Sequence, residues 1–221
     1  MSNTVMKTIS CPRCNARCEK KLFLSVNVNA EPTLRADVLN EKLFKWRCAS
    51  CGYEARITYP ILYNDIKGKF MVYLIPDVDR FQLADPDLEK EYGHLLGVVK
   101  RSAPTLNVFK EKIFIFEAGL DDMAVELTKL AISETVSKKL RVPAAEGYLS
   151  MFSRESNTMG FTFFLGPNNE PYIQSTRLEI YVKSLGIVSS VAGKDKKLSG
   201  FLNVDREWAE NALFRYKKLQ K

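Results

Sequence analysis

The alternation of apolar and polar residues predicts short strands over most of the chain. Residues 21–28 have the β-branched and aromatic content of a strand, and residues 53–59 alternate in polarity. Two further strands flank Lys67-Gly68 and predict a hairpin in which Gly68 takes a positive φ. These two strands are residues 61–66 and 69–75, and the remaining predicted strands are residues 42–47, 109–116, 148–152, 160–165 and 178–182, with a turn at 166–169.

Three helices are predicted from capping residues and from apolar residues at helical spacing. Pro32 suits the first turn of a short helix, because its missing N–H is not needed there. Asp121 caps a long core helix that ends near Leu140, and Asp205 caps a final helix over residues 206–219. Two weaker predictions are an acidic connector over 77–86 and a helix over 87–97.

These elements predict an α+β protein, in which a mixed or antiparallel sheet is covered by helices. A chain of 221 residues can bury a hydrophobic core as one larger domain or two small ones. Pro143 blocks continuation of the long helix. We therefore expect a first domain over residues 1–142 and a strand-rich extension over 143–221 that ends in a helix.

Composition excludes several classes of protein. The 46% apolar and 27% charged residues are typical of a globular chain. The longest apolar runs, such as residues 113–116, are far shorter than the roughly 20 residues of a membrane-spanning helix. We find no secretory signal pattern and expect a cytoplasmic protein that does not bind a membrane. A single histidine, His94, excludes most histidine-based sites, and we expect it to be partly buried.

The cysteines give the clearest chemical signal. Cys11 and Cys14 form one Cys-x-x-Cys pair, Cys48 and Cys51 form a second, and 33 residues lie between the pairs. Four thiolates suit a tetrahedral zinc ion with Zn–S distances of about 2.3 Å. Such a closed site has no open position for substrate, so the predicted zinc is structural.

The residues around each pair predict how the site is built. Asn15 and Gly52 tolerate a left-handed backbone, which aims N–H groups at the sulfur atoms. Since strands flank both turns, the sequence predicts a zinc ribbon with a helical insertion between its two halves. Two alternatives stay open. In the first, Cys14 and Cys18 form the upstream pair instead of Cys11 and Cys14; if they do not, Cys18 is a free thiol. In the second, the metal is iron, because a four-thiolate site suits iron as well as zinc.

Several segments, taken as strings, resemble a known family. CPRC at 11–14, CASCG at 48–52, PILYND at 60–65 and GLDD at 119–122 are similar to the CpXC domain of bacteria, archaea and their viruses. The resemblance covers about the first 140 residues, and Cys18 is an extra cysteine relative to the family pattern. It implies a metal-binding cysteine site and an intracellular origin.

Other candidate sites have simpler explanations. Asp121 and Asp122, with Glu117 and Glu126, could form an acidic catalytic cluster. Aspartates are, however, expected in the first turn of a helix, and adjacent helical residues point about 100° apart. No serine motif of a hydrolase and no phosphate-binding loop occurs in the sequence. We therefore expect no enzymatic activity.

The charge distribution gives a candidate nucleic-acid face. Net charge is +7, and residues 1–60 carry ten basic and five acidic side chains. Basic residues near the cysteines, with Trp46 and Tyr53 beside them, are the arrangement that single-strand binders use. In the opposing interpretation these aromatic rings cover a small core. The candidate nucleic-acid-binding residues are Arg13, Arg17, Lys21, Lys45 and Arg47.

The sequence as a whole predicts a non-enzymatic, zinc-stabilised binding or adaptor protein. Zinc ribbons commonly present short hairpins to larger machines, so a protein partner is the first hypothesis, by analogy. Binding of nucleic acid through the basic face is the alternative, and its affinity would depend steeply on salt.

Overall fold

In a computed structural model of the chain, the described residues are 1–76, 92, 94–95, 97–197 and 200–220. The protein is mixed α+β, as the sequence predicted. The predicted connector over 77–86, and most of the predicted helix over 87–97, lie outside the described residues. None of the described helices is both long and apolar enough to cross a membrane.

The chain divides into two compact units. The first is Met1–Lys110 with Ser199–Phe201, and the second is Glu111–Leu198 with Leu202–Lys221. The division falls between Lys110 and Glu111, earlier in the chain than the boundary near Pro143 that the sequence suggested. The domains 1–142 and 143–221, understood as parts that fold separately, stay a prediction.

The first unit is built on a five-stranded mixed sheet. Its elements are β1 (Asn3–Ser10), β2 (Arg17–Asn27), α1 (Thr33–Leu39), β3 (Lys45–Arg47), β4 (Glu54–Arg56), β5 (Ile61–Asp65), β6 (Phe70–Leu74) and β7 (Val99–Ala103). The strand order is β1-β2-β5-β6-β7. β1 pairs antiparallel with β2 and β5 with β6, whereas β2–β5 and β6–β7 are parallel. β3 and β4 form a separate antiparallel hairpin.

The core of the first unit is rich in aromatic rings. Phe44 packs on Tyr59 with ring centroids 5.5 Å apart, and Tyr63 stacks on Phe70 at 5.9 Å. All four side chains are buried. Burial of a ring of this size contributes roughly 2–3 kcal/mol. Because β3 starts directly after Phe44, this core fixes the strand that leads to the second cysteine pair.

The second unit contains a three-stranded antiparallel sheet and most of the helices. The elements are α2 (Leu106–Glu117), which begins in the first unit, α3 (Asp122–Leu140), β8 (Ala144–Ser153), β9 (Thr158–Leu165), β10 (Glu170–Arg177), α4 (Leu178–Val191) and α5 (Arg206–Leu219). The strand order is β10-β9-β8. The two predicted caps are confirmed. Asp121 accepts from the N–H groups of Met123 and Ala124, and Asp205 accepts from that of Trp208.

The predicted strand over 109–116 is wrong, because this segment lies in helix α2. Its β-branched and aromatic residues favour a strand by type, but the buried ones are spaced for a helix. Phe109 and Ile113 are fully buried four residues apart, while Phe114 is partly exposed. The hydroxyl of Thr105 accepts from the Val108 N–H and starts the helix.

The predicted strand over 178–182 is also wrong, because it is the first part of helix α4. Tyr181, Ser184 and Val188 are buried at intervals of three and four residues, which is the period of a helix. The strand before it, β10, was not predicted. Since alternate residues of β10 are exposed and many are polar, its apolar pattern is weak.

The hairpin between β5 and β6 forms as predicted, but its positive φ falls on Lys69, at 58°, rather than on Gly68. Gly68 is needed for a different reason. Its N–H donates to the Asp65 carboxylate at 2.9 Å, and a Cβ at this position would lie 2.7 Å from that carboxylate. The glycine therefore permits a close approach of backbone and side chain.

Candidate metal centre

The four cysteines predicted as metal ligands come together at the ends of two hairpins. The sulfur atoms of Cys11, Cys14, Cys48 and Cys51 all lie within 4.8 Å of one another. The Cys11–Cys51 and Cys14–Cys48 sulfur pairs are each 3.6 Å apart. Four sulfur atoms placed tetrahedrally at 2.3 Å from an ion would be separated by about 3.8 Å. The cluster is therefore compatible with a single metal ion.

The first Cys-x-x-Cys pair forms a tight turn over residues 11–16, which we call the first knuckle. The Asn15 N–H donates to the Cys11 carbonyl at 2.9 Å, and the Cys11 N–H donates to the Ala16 carbonyl at 2.9 Å. The Arg13 N–H points at the Cys11 sulfur, 3.4 Å away. The turn thus gives the sulfur a backbone donor, as the sequence predicted.

The second knuckle, residues 48–53, repeats this geometry. The Gly52 N–H donates to the Cys48 carbonyl at 3.0 Å, and the Cys48 N–H donates to the Tyr53 carbonyl at 2.8 Å. Gly52 has a φ of 72° and the equivalent Asn15 has a φ of 56°. The predicted left-handed conformation is confirmed at both positions, so each spacer turns its two sulfur atoms to the same side.

The electrostatic environment of the cluster favours thiolate at one cysteine. The backbone N–H groups of Cys51 and Ser50 donate to the Cys48 sulfur and lower the pKa of Cys48 to about 6. For Cys14 the Ala16 N–H acts in the same direction. Contacts with the other thiols and burial outweigh that donor and raise the pKa of Cys14 to about 12. The surroundings of the two sulfur atoms therefore favour the thiolate form at Cys48 over Cys14.

The strands on either side of each knuckle hold it against the core. The first knuckle joins β1 to β2, and the second joins β3 to β4. Trp46 on β3 is 5% exposed and Phe44 is fully buried, while Tyr53 is half-buried. The interpretation in which aromatic rings cover a small core is confirmed for Trp46 and Phe44. Trp46 is accordingly not available as a stacking platform for bases.

Comparison with known families agrees with the cysteine spacing and the turns that it forms. A family model described as CpXC protein matches residues 9–129, more than half of the chain. The chain belongs to the CpXC family. In this CpXC protein the match contains both knuckles and ends inside α3, which confirms the resemblance drawn from the sequence. No curated protein and no solved structure matches the chain.

The structure places four of the five candidate nucleic-acid-binding residues of the CpXC protein in two pairs, one on β3 and one on β2. Lys45 and Arg47 share the outward face of β3, next to the second knuckle, and both are exposed. Arg17 and Lys21 share the outward face of β2, with the carboxylate of Glu19 between them. The fifth candidate, Arg13, is exposed in the first knuckle. A role for any of them in binding nucleic acid stays a prediction.

The acidic residues near the start of α3 are explained by capping and ion pairing. Asp121 caps the helix, and its second carboxylate oxygen contacts the Lys196 ammonium at 2.9 Å. Asp122 is buried and contacts the Lys112 ammonium, itself fully buried, at 3.1 Å. Among the described residues, the four cysteines are the one group of cysteine, histidine or acidic side chains close enough together to hold a metal ion.

Sequence reasoning missed a second buried group of charges, beside the capping residues. Lys129 contacts the carboxylates of Glu126 at 2.9 Å and of Glu111 at 3.2 Å, and Glu111 also accepts from the Leu149 N–H at 2.6 Å. Burial raises the pKa of Glu126. Burial alone would lower the pKa of Lys129, but the carboxylates of Glu111 and Glu126 outweigh it and raise the pKa of Lys129 above its usual range. Glu111 lies on α2 and Lys129 on α3. Because residues 109–116 were predicted as a strand, the sequence did not indicate that Glu111 faces a neighbouring helix.

The single histidine does not belong to this chemistry. His94 is exposed, so the prediction that it is partly buried is wrong. It lies in a turn in which the Leu95 N–H donates to the Tyr92 carbonyl at 3.1 Å. Turn residues are usually solvated, which accounts for its exposure.

Proposed function

We propose that the four-cysteine cluster binds one structural zinc ion and that the two knuckles with their hairpins form a zinc ribbon. The sulfur spacing close to that of a tetrahedral site, repeated in two equivalent turns, is the observation that carries this proposal. All four ligands come from the chain, so the ion would hold β1–β2 and β3–β4 together without an open position for substrate. None of the five cysteines forms a disulfide, which suits a reducing compartment such as the cytoplasm.

The surface that this centre would present is the outward face of the β3–β4 hairpin. Its exposed residues border a groove of about 420 Å³, with Trp46 and Ala55 also lining it. Lys45 lies directly opposite Arg56 in the register, and like charges opposite each other destabilise a hairpin. Within the fold, Arg56 contacts the Glu41 carboxylate at 2.8 Å, and an anionic partner would offset the repulsion at Lys45 in the same way. The exposed residues are Lys45, Arg47, Glu54 and Arg56.

We infer that the hairpin docks an acidic segment of a protein partner and that the molecule is an adaptor rather than an enzyme. Binding of bases needs exposed aromatic rings, and Trp46 is buried under the hairpin. Glu54 contacts Arg47 at 3.8 Å, so one carboxylate interrupts the basic face of the hairpin. Of the acidic residues that could have served catalysis, Asp122 and Glu126 are buried and paired with lysines, and Asp121 caps α3 and contacts Lys196. Nucleic-acid binding is the alternative that the experiment below separates.

A charge-reversal variant tests the docking surface. Changing Lys45 and Arg47 together to glutamate should weaken binding of a glutamate-rich peptide at least about tenfold, since two favourable charge contacts become repulsive. Binding is measured by fluorescence anisotropy at two salt concentrations. The matched control reverses Lys183 and Lys217, which are exposed in the second unit and should leave binding unchanged.

The same assay with a single-stranded oligonucleotide of equal charge decides between the partner classes. We expect the peptide to bind more tightly than the oligonucleotide. Tighter, steeply salt-dependent binding of the oligonucleotide would contradict the proposal, because phosphate contacts release counterions. An equal loss of binding in the control variant would show that net charge, rather than the hairpin, governs the interaction.

A further inference from the structure

A fifth sulfur atom lies beside the cluster. The Cys18 sulfur is 4.0 Å from the Cys48 sulfur, close to the 3.6 Å that separates Cys14 and Cys48. Both distances are near the edge of a tetrahedral four-sulfur site, about 3.8 Å. The Cys48 sulfur is therefore at a similar distance from Cys14, which belongs to a Cys-x-x-Cys pair, and from Cys18, which does not.

The strand that carries Cys18 directs its side chain toward the cluster. Successive side chains of a strand point to opposite faces, and Arg17 and Glu19 on either side of Cys18 are exposed. Cys18 is half-buried and shares its face of β2 with the fully buried Leu22. Cys14, by contrast, is exposed at the tip of the first knuckle. The inner of the two candidate sulfur atoms is thus the one outside the Cys-x-x-Cys motif.

The contacts also show which ligand Cys18 could replace. Cys11 and Cys51 contact each other at 3.6 Å and lie within 4.8 Å of both Cys14 and Cys48. Cys18 is outside this group of four and contacts Cys48 at 4.0 Å, so it must move toward Cys11 and Cys51 to replace Cys14. Exchange of Cys14 for Cys18 would leave the other three sulfur atoms in place. It also balances chemically: the Cys18 thiol loses its proton as its sulfur binds, and the Cys14 thiolate takes up a proton as its sulfur leaves.

We infer that Cys18 is a reserve metal ligand that alternates with Cys14, so that the site draws its four sulfur ligands from five cysteines. The inference rests on the proposed metal centre. A site of this kind keeps its ion when the exposed Cys14 is modified. It also gives the ion a route toward the surface, through the more exposed of the two ligands.

Cobalt binding to matched variants tests the exchange. Wild type, Cys18→Ser, Cys14→Ser and the Cys14→Ser/Cys18→Ser double variant are titrated with Co²⁺, whose thiolate charge-transfer and d–d bands report the number of sulfur ligands. We expect Cys14→Ser to keep a four-sulfur spectrum with roughly tenfold weaker affinity, because Cys18 starts farther from Cys48. The double variant should show three sulfur ligands and a further loss of about a hundredfold, as one of four ligands is then missing.

Identical spectra and affinities for Cys14→Ser and the double variant would overturn the inference while leaving the metal centre intact. Wild-type protein that does not bind the metal would overturn both. Should Cys14→Ser not fold, alkylation of metal-loaded wild type gives the answer. Mass spectrometry is expected to find one modified thiol per chain, divided between Cys14 and Cys18, whereas modification of Cys18 alone would contradict the exchange.

Discussion

Replacing Cys11 with serine is expected to unfold the part of the first unit around β1–β4 and to lower the metal content of the protein. Cys11 is fully buried, and its sulfur contacts that of Cys51. Structural zinc sites supply roughly 10–16 kcal/mol of apparent binding free energy, so one of four ligands accounts for about 3 kcal/mol or more. Since domains are only marginally stable, a loss of this size removes most of the stability of a small unit.

Hydrogen exchange measured by mass spectrometry localises the effect. Amides of β1 to β4 should lose protection in Cys11→Ser, and a strong chelator should have the same effect on wild type. Helices α3 to α5 pack on a core of their own and should keep their protection. Ser50→Ala, an exposed change within the second knuckle, is the control and should exchange like wild type. Unchanged protection after complete removal of metal would mean that the cysteine cluster does not stabilise the fold.

Changing Asp122 to asparagine is expected to destabilise the second unit by about 3–5 kcal/mol, the usual cost of leaving one charge of a buried ion pair without its counter-charge. The Lys112 ammonium contacts the Asp122 carboxylate at 3.1 Å, and both side chains are almost completely buried. Asparagine has a similar shape but carries no charge. The loss is therefore electrostatic rather than a packing defect.

Fluorescence of Trp208, which lies in the core of the second unit, follows unfolding in urea. Trp46→Phe removes the other of the two tryptophans, so the signal reports on that unit alone. Adding Lys112→Met to Asp122→Asn should recover most of the lost stability, because a buried pair replaced as a whole costs little. Glu210→Gln breaks the exposed Arg206–Glu210 pair and should change stability by less than about 1 kcal/mol. If Asp122→Asn and Glu210→Gln lower the free energy of unfolding equally, the buried pair contributes no more to stability than the exposed pair.

Local signals in the sequence predicted the fold where they were unambiguous. Asp121 precedes a stretch with apolar residues at helical spacing, Asp205 precedes an amphipathic stretch, and both cap helices in the structure. The segments at 109–116 and 178–182 are too short and too apolar for residue type to separate a strand from a helix. Their burial at intervals of three and four residues, visible only in the folded unit, decides for the helix.

The candidate metal site could be predicted further than the surface around it. Spacing alone identified the two cysteine pairs, and residue type alone identified the left-handed positions Asn15 and Gly52. The sequence could not show that Trp46 is buried, since an aromatic residue on a short strand suits either face. The sequence also could not predict the contact between the Cys18 and Cys48 sulfur atoms, because that contact depends on how the two hairpins pack against each other.

X-ray absorption on the purified metal-loaded protein tests the central claim most directly. The account predicts one zinc ion per chain with four sulfur atoms at about 2.3 Å and no lighter atom in the first shell. A first shell containing nitrogen or oxygen, or purified protein that is stable without any metal, would contradict it.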